Sequence, residues 1–256
     1  MNIMKITFLG VGEACDAQYP NTSILVAAVE DAREHVLLDC GFTTPHVYFK
    51  SCSDPEALLG VWISHFHGDH FFGMPLLLLR LSEMGREKPL LILGPESIQQ
   101  KIEAALELAY PGVGEQLGFP VDYLPVEPGK RVEATGFQWK SAKNHHSQSA
   151  LSVLIRTGQK SVLYSGDGGP TPESLALAKG CDLVIHEAFC FEGEMSGHGS
   201  VSRAVEFAQK AGAPQLALVH IQRSERESRK AAIMEYLFKV KGCSVFLPEP
   251  GTSVKL

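Results

Sequence analysis

Residues 60–70 read GVWISHFHGDH, a short apolar run that passes without interruption into His65-Phe66-His67-Gly68-Asp69-His70. The run, 60–64, reads as a buried strand. At a strand end side chains alternate, so His65 and His67 point to one side. Gly68 then lets the chain turn, and Asp69 and His70 present to a neighbouring point. Imidazole and carboxylate are natural ligands for borderline metal ions, and this spacing suits two such ions a few ångströms apart. The plain alternative is a chance cluster of surface histidines, which the density of the motif directly behind a buried strand argues against.

Outward from this strand, hydrophobic patterning predicts further strands at 5–9, 23–29, 35–38, 90–93, 121–125, 137–142, 151–156, 161–165, 183–186, 216–219 and 244–247. Helical spacing falls at 96–109, 174–179, 200–211 (closed by Gly212) and 225–239, with another helix after His70. Each half runs strands first and helices late. The pattern predicts an α/β (α+β) chain built as a four-layer αββα sandwich, two packed mixed sheets with helices outside. No stretch is long or polar enough to be a linker, so residues 1–256 are read as a single domain.

The 256 residues are 45% hydrophobic and 20% charged, ordinary for a folded chain with ample core. Lys+Arg 23 against Asp+Glu 29 gives a net charge of −6, a poor basis for sequence-blind nucleic-acid binding. The longest apolar run, 71–79, contains Pro75 and is about half the ~20 residues a membrane helix needs. With no targeting segment and six scattered cysteines, the expected setting is cytoplasmic, with reduced thiols and no membrane.

Further ligand types stand at other strand-to-loop junctions, where α/β architectures collect their sites. His145-His146-Ser147 precedes the strand at 151–156, Ser165-Gly166-Asp167-Gly168 follows the strand at 161–165, and His220 ends the strand at 216–219. Taken alone, each has an ordinary reading as a partly exposed histidine or a turn. Gly10-Val11-Gly12 is not a dinucleotide fingerprint, because Cys15 occupies the third glycine position; it reads as a structural turn beside the site. Arg223, Arg226, Arg229 and Lys230 read as a solvated helix face answered by Glu225 and Glu227, with phosphate steering as the minority reading.

These residues together resemble the metallo-β-lactamase superfamily, and within it the branch of ribonuclease Z and related phosphodiesterases. The resemblance runs through Phe8-Leu9-Gly10-Val11-Gly12, Asn21-Thr22-Ser23, Leu38-Asp39-Cys40-Gly41, Ser64-His65-Phe66-His67-Gly68-Asp69-His70 and His146-Ser147. It continues through Ser165-Gly166-Asp167, His186-Glu187-Ala188, Gly197-His198-Gly199-Ser200 and Val219-His220-Ile221. It implies two zinc ions, with Mn2+ or Fe as alternatives. One would be held by His65, His67 and His146, the other by Asp69, His70 and His220, with Asp167 bridging. His146 is preferred to His145 for its distance from Ser152. The resemblance also implies His198 as a catalytic group near the leaving group. Asp69, a ligand able to take a proton from the bridging water, is read as the other catalytic group, and His186 and Glu187 as residues orienting the ligands by hydrogen bonds. A homodimer would be in keeping with it.

Two bridged zinc ions share a water, lower its pKa and so supply a hydroxide nucleophile. Such a centre serves phosphodiesters, lactones, β-lactams and thioesters alike, so the motif implies a hydrolase without fixing a substrate. The later elements favour a phosphodiester, of small-molecule or nucleotide type, over a lactone, sulfate ester or other ester. Ribonuclease Z enzymes with a tRNA-clamping arm carry a long Gly/Pro-rich insert between the residues matching His146 and Asp167. Here only 20 residues intervene, which disfavours RNA and favours a small-molecule substrate. A flavodiiron-type redox protein would replace a ligand histidine by carboxylates, and a non-catalytic binding module would have lost ligands; this sequence does neither.

Overall fold

The computed structural model describes residues 3–28, 33–193 and 195–256. In the first half β1 (Met4–Gly10), β2 (Ser23–Ala28) and β3 (His35–Leu38) pair antiparallel. To β3 are added, all parallel, β4 (Leu58–Trp62), β5 (Leu90–Gly94) and β6 (Val121–Pro125). The second half repeats the scheme. β7 (Arg131–Ala134), β8 (Phe137–Lys143), β9 (Leu151–Thr157) and β10 (Lys160–Tyr164) are antiparallel. β11 (Leu183–Glu187), β12 (Gln215–Val219) and β13 (Ser244–Phe246) follow in parallel. A last strand, β14 (Ser253–Lys255), returns to pair antiparallel with β1. The result is two seven-stranded mixed sheets, β14-β1-β2-β3-β4-β5-β6 and β13-β12-β11-β10-β9-β8-β7.

Period-two alternation sorts the side chains into layers. On β11, Leu183 and Ile185 enter the core between the sheets, whereas Val184 faces the outer helices. Trp62 and Trp139 stack across the inter-sheet core, ring centroids 6.1 Å apart at 19°. Truncating either indole to alanine should cost about 3–5 kcal/mol. Outside the first sheet lie α1 (Thr44–Ser51), α3 (Met74–Glu83) and α4 (Ile98–Ala109), the last burying Ile98, Ile102 and Leu106 at helical spacing. Outside the second lie α5 (Pro172–Ala178), α6 (Val201–Ala211) and α7 (Arg223–Lys239). Ser200 caps α6 through the Arg203 N–H, and Gly212, at φ +71°, ends it. The expected αββα sandwich is the observed architecture.

The differences are local. The strand expected at 60–64 begins and ends two residues earlier, because its register is set by pairing Leu58 with His35 and Trp62 with Leu38. The strand expected at 23–29 holds to Ala28, and Val29 lies outside the described residues. The helix expected after His70 is two helices, α3 and the four-residue α2 (Gly68–Phe71) before it. α1, β7 and β14 were not expected. Among the described residues no helix is long and apolar enough to cross a membrane.

Candidate metal centre

Parallel strands bring their C-terminal ends to one edge of the sandwich, and the chemistry-bearing side chains stand there. Asp39 directly follows β3, His65 comes three residues after β4, Asp167 three after β10, and His220 directly after β12; Glu187 is the last residue of β11. The two sheets are tied at this edge by the Leu151 N–H donating to the Ser64 carbonyl at 3.1 Å. Close approach demands glycine here. A Cβ at Gly166, whose φ is +59°, would lie 2.6 Å from Ser64 Cβ, and one at Gly41 would lie 2.0 Å from the Asp69 carbonyl oxygen.

All seven residues expected as ligands converge on two adjoining points. His65, His67, His146 and Asp167 form one group, and Asp69, His70, Asp167 and His220 the other; within each, one ligand atom per residue lies within 4.8 Å of the rest. In the first, His67 Nδ1 is 3.1 Å from both His65 Nε2 and His146 Nε2, with Asp167 Oδ2 3.9 Å from His65 Nε2. In the second, Asp69 Oδ2 is 3.1 Å from His220 Nε2 and 3.3 Å from His70 Nε2, while the two imidazoles are 3.4 Å apart. Asp167 joins the groups through Oδ2, which lies 3.9 Å from His65 Nε2 of the first and 3.5 Å from His220 Nε2 of the second, while Oδ1 is 3.3 Å from His70 Nε2. Ligands about 2.0–2.1 Å from a tetrahedral ion are separated from one another by about 3.3 Å. Most of these edges have that length.

Hydrogen bonds fix which nitrogen of each ring faces inward. The Asp39 carboxylate accepts from His70 Nδ1 at 2.8 Å, so His70 turns Nε2 to the centre. Ser64 Oγ gives its proton to Asp39 Oδ2 at 2.8 Å and therefore accepts from His65 Nδ1 at 3.0 Å. His146 Nδ1 donates to the Gly197 carbonyl at 2.5 Å. Nε2 of His65, His70 and His146 thus all turn to the centre. Asp167 Oδ1 is buried and has no hydrogen-bond partner among the described residues. Ring nitrogens and an orphaned carboxylate oxygen facing one another are satisfied by a cation, so the residues present fit the binding of metal.

The electrostatics agree. Burial, with the neighbouring imidazoles, lowers the pKa of His65 well below its ordinary value, and burial lowers that of His67; both stay neutral, as ligands must. At Asp69 and Asp167 burial works upward, but the surrounding histidines outweigh it and hold both carboxylates ionised. At His70 and His220 burial works downward, yet the carboxylates, Asp167 foremost, prevail and raise both. The centre therefore draws positive charge to itself, whether as protons or as metal ions.

The remaining expected residues divide. His198 stands beside the centre, its ring 4.4 Å from Phe189, 5.0 Å from His146 and 6.2 Å from His220. Its Nδ1 is 3.2 Å from Glu187 Oε1. That hydrogen bond and charge overcome the opposing effect of burial and raise the His198 pKa. Glu187 also accepts from the N–H groups of Gly168, Gly199 and Phe189, at 2.8–2.9 Å, so it is anchored firmly. It steadies His198 rather than a ligand histidine. His186 does not take the orienting place expected of it: one step along β11, its ring turns to the helix side, against Phe207 of α6 at 5.1 Å. His145 is exposed and pairs through its backbone with Gly169. Arg226 departs from the solvated-face reading, for it is only 8% exposed.

Sequence reading assigned no role to Asp39, Ser64 or Tyr164. Asp39 accepts from the Ser64 N–H and hydroxyl, His70 and the Tyr164 hydroxyl, the last at 2.6 Å. Burial and Asp39 together push the Tyr164 pKa well up, keeping that hydroxyl a donor. Asp39 lay inside a quoted motif, which was its only signal. Asn144 was also missed; its amide donates to the carbonyls of Ser165 and Asp167, at 2.5 and 3.0 Å.

Comparison with known proteins extends the picture. The family model described as "Anti-Pycsar protein Apyc1" matches residues 4–240. Ribonuclease BN of Cronobacter sakazakii is 29% identical, over 85% of this chain and 88% of that protein. The metallo-β-lactamase fold protein YhfI from Bacillus subtilis superposes with a TM-score of 0.83 at 21% identity, covering 99% of this chain and 100% of the other. The short form of human tRNase Z gives 0.76 at 23% identity, covering 98% of each. The fold is the metallo-β-lactamase fold.

Proposed function

The chain belongs to the Anti-Pycsar protein Apyc1 family, and on that premise we propose that it is a metal-dependent hydrolase cleaving a small phosphodiester. The observation that carries this reading is Asp167, whose carboxylate is shared by two adjoining ligand groups, Oδ2 lying between His65 of one and His220 of the other. Two ions, zinc in the first instance, would be held by His65, His67 and His146 and by Asp69, His70 and His220, with Asp167 common to both. When bound, such a pair supplies a water of lowered pKa and a Lewis acid for phosphoryl oxygens. The chain's own groups do the rest. Asp69 would accept a proton at the carboxylate oxygen not given to the ion, Asp39 and Ser64 hold the His70 and His65 rings in the required tautomer, and His198 delivers a proton to the departing oxygen.

Metal analysis coupled to a substrate screen tests this. Purified protein should carry close to two metal ions per chain, His67→Ala distinctly fewer, and chelation should abolish hydrolysis of bis(p-nitrophenyl) phosphate. A wild-type chain that saturates at one ion removes the bridging role of Asp167. Lactones or sulfate esters cleaved much faster than any phosphodiester would hand the assignment to those esters.

A second reading, tRNA 3′-end processing, is favoured by ribonuclease BN, the curated relative compared above. Against it stands the 147–166 segment, which β9 and β10 fill as a hairpin joined at Gly158-Gln159. It offers no clamp. With a net charge of −6, precursor tRNA should bind weakly and lose affinity steeply with salt. Specific removal of a 3′ trailer at physiological salt would establish the second reading instead.

A further inference from the structure

His220 holds an unusual backbone conformation for a residue with a side chain. Its φ is +56°, in the left-handed region that glycine favours. Such a conformation persists where surrounding contacts over-determine it. Here the His220 N–H donates to the Val11 carbonyl at 2.9 Å, and that same carbonyl accepts from Arg226 Nη2 at 3.3 Å. Arg226 lies one turn into α7, the helix that leaves the His220 loop, and its own N–H donates to the Gln222 carbonyl at 2.9 Å. Its guanidinium sits 4.3 Å from the centroid of the Tyr19 ring. Tyr19 belongs to the segment that returns from the Gly10-Val11-Gly12 turn, where the Gly12 N–H donates to the Pro20 carbonyl at 2.8 Å. Next to it, Arg223 Nη1 meets Glu13 Oε1 at 2.7 Å.

From this geometry we infer that Arg226 is a positioning residue: its guanidinium, clamped between the Tyr19 ring and the Val11 carbonyl, holds α7 against the turn that fixes His220. Three features assign the role to the planar, forked side chain. It is buried, where a solvating cation would be exposed. It stacks and donates at once, which an ammonium cannot reproduce. It meets the very oxygen that holds the His220 backbone. A shift of α7 away from Val11 would swing His220 Nε2 off Asp69 Oδ2 and Asp167 Oδ2, while His65, His67 and His146, carried by other segments, would keep their places.

The inference rests on His220 being a metal ligand, and the experiment separates the two ideas. Zinc is titrated into metal-free protein against a chromogenic chelator, and cobalt(II) spectra are recorded in parallel, for wild type, His220→Ala, Arg226→Gln, Arg226→Lys and Tyr19→Leu. Loss of a group supporting a metal ligand typically weakens the ion about 10–100-fold. Arg226→Gln should therefore bind the second equivalent weaker by about that factor, with the first equivalent unchanged and the cobalt bands of the second site altered. Arg226→Lys should recover part of the loss. Tyr19→Leu, which removes the stacking ring together with an exposed hydroxyl contact to Glu249, should show a smaller loss of the same kind and serves if Arg226→Gln fails to fold. If His220→Ala binds both equivalents normally, the ligand reading itself falls. If His220→Ala loses the second ion while the Arg226 and Tyr19 variants keep it, or lose both ions together, Arg226 does not position His220.

Discussion

Asp69→Asn should lower phosphodiester turnover by about 10³-fold, within the roughly 10²–10⁴ that a positioned proton transfer contributes. Asp69 is the second residue of α2, the short helix that turns the chain after His67, and is 6% exposed. Its Oδ2 lies against His70 and His220, and these histidines hold the carboxylate in its charged form despite burial. The amide keeps the shape and one oxygen but has no charge to give a metal ion and no site for a proton. The fold has little reason to respond, because α2 is anchored by its backbone: the His70 carbonyl accepts from the Cys40 N–H at 2.7 Å. A melting temperature within about 5 °C of wild type is expected, since each kcal/mol moves a chain of this size by only about 2–4 °C. Metal occupancy measured on the same sample sorts the outcomes. Turnover lost with both ions retained marks Asp69 as the proton acceptor, turnover lost with one ion marks a ligand alone, and activity above a tenth of wild type removes Asp69 from the mechanism.

Asp69 was legible because its neighbours in sequence are its neighbours in space. The six-residue motif places three imidazoles and a carboxylate on one strand end and one turn, and local geometry does the rest. Asp39 is the contrary case. It stands 25 residues from Ser64, 31 from His70 and 125 from Tyr164, and only the pairing of β3 with β4, and of one sheet with the other, brings them together. Tyr164 reads as the last apolar residue of a strand until its hydroxyl is seen to donate across the core. The fold shows the same division. Strands with a buried face declare themselves by alternation, whereas β14 has no apolar stripe and exists because Lys5, Ile6 and Thr7 offer an edge to it. α1 carries β-branched and aromatic residues and no side-chain cap, so Pro45 in its first turn is a weak announcement of a helix. Arg226 misled for the same reason: charge spacing along α7 suggests solvent, and only the return of Tyr19 from the first sheet buries it.

His198 carries the last prediction, because it bears on the step that distinguishes substrates. A departing alkoxide needs a proton, and a positioned acid typically gives about 10²–10⁴-fold; p-nitrophenolate is stable enough to leave with little help. Glu187 holds His198 through Nδ1 and favours its charged form, Phe189 packs flat against the ring, and Nε2 remains available to a substrate oxygen. His198→Ala should slow alkyl phosphodiesters by about 10²-fold or more while leaving p-nitrophenyl esters within a few-fold of wild type, metal content unchanged. Loss of a ligand would act differently, hurting both esters and lowering occupancy. This distinction matters because His198 also stands near His220 and Glu187 in a third cluster of ligand types. Glu187→Gln keeps one acceptor oxygen for the Gly168 and Gly199 N–H groups, turns an amide NH2 toward the Phe189 N–H and removes the charge that favours the imidazolium, so it should reproduce the same ester contrast in milder form. Equal slowing of both esters in His198→Ala, at full metal content, would mean that His198 places the phosphate and that the proton comes from elsewhere.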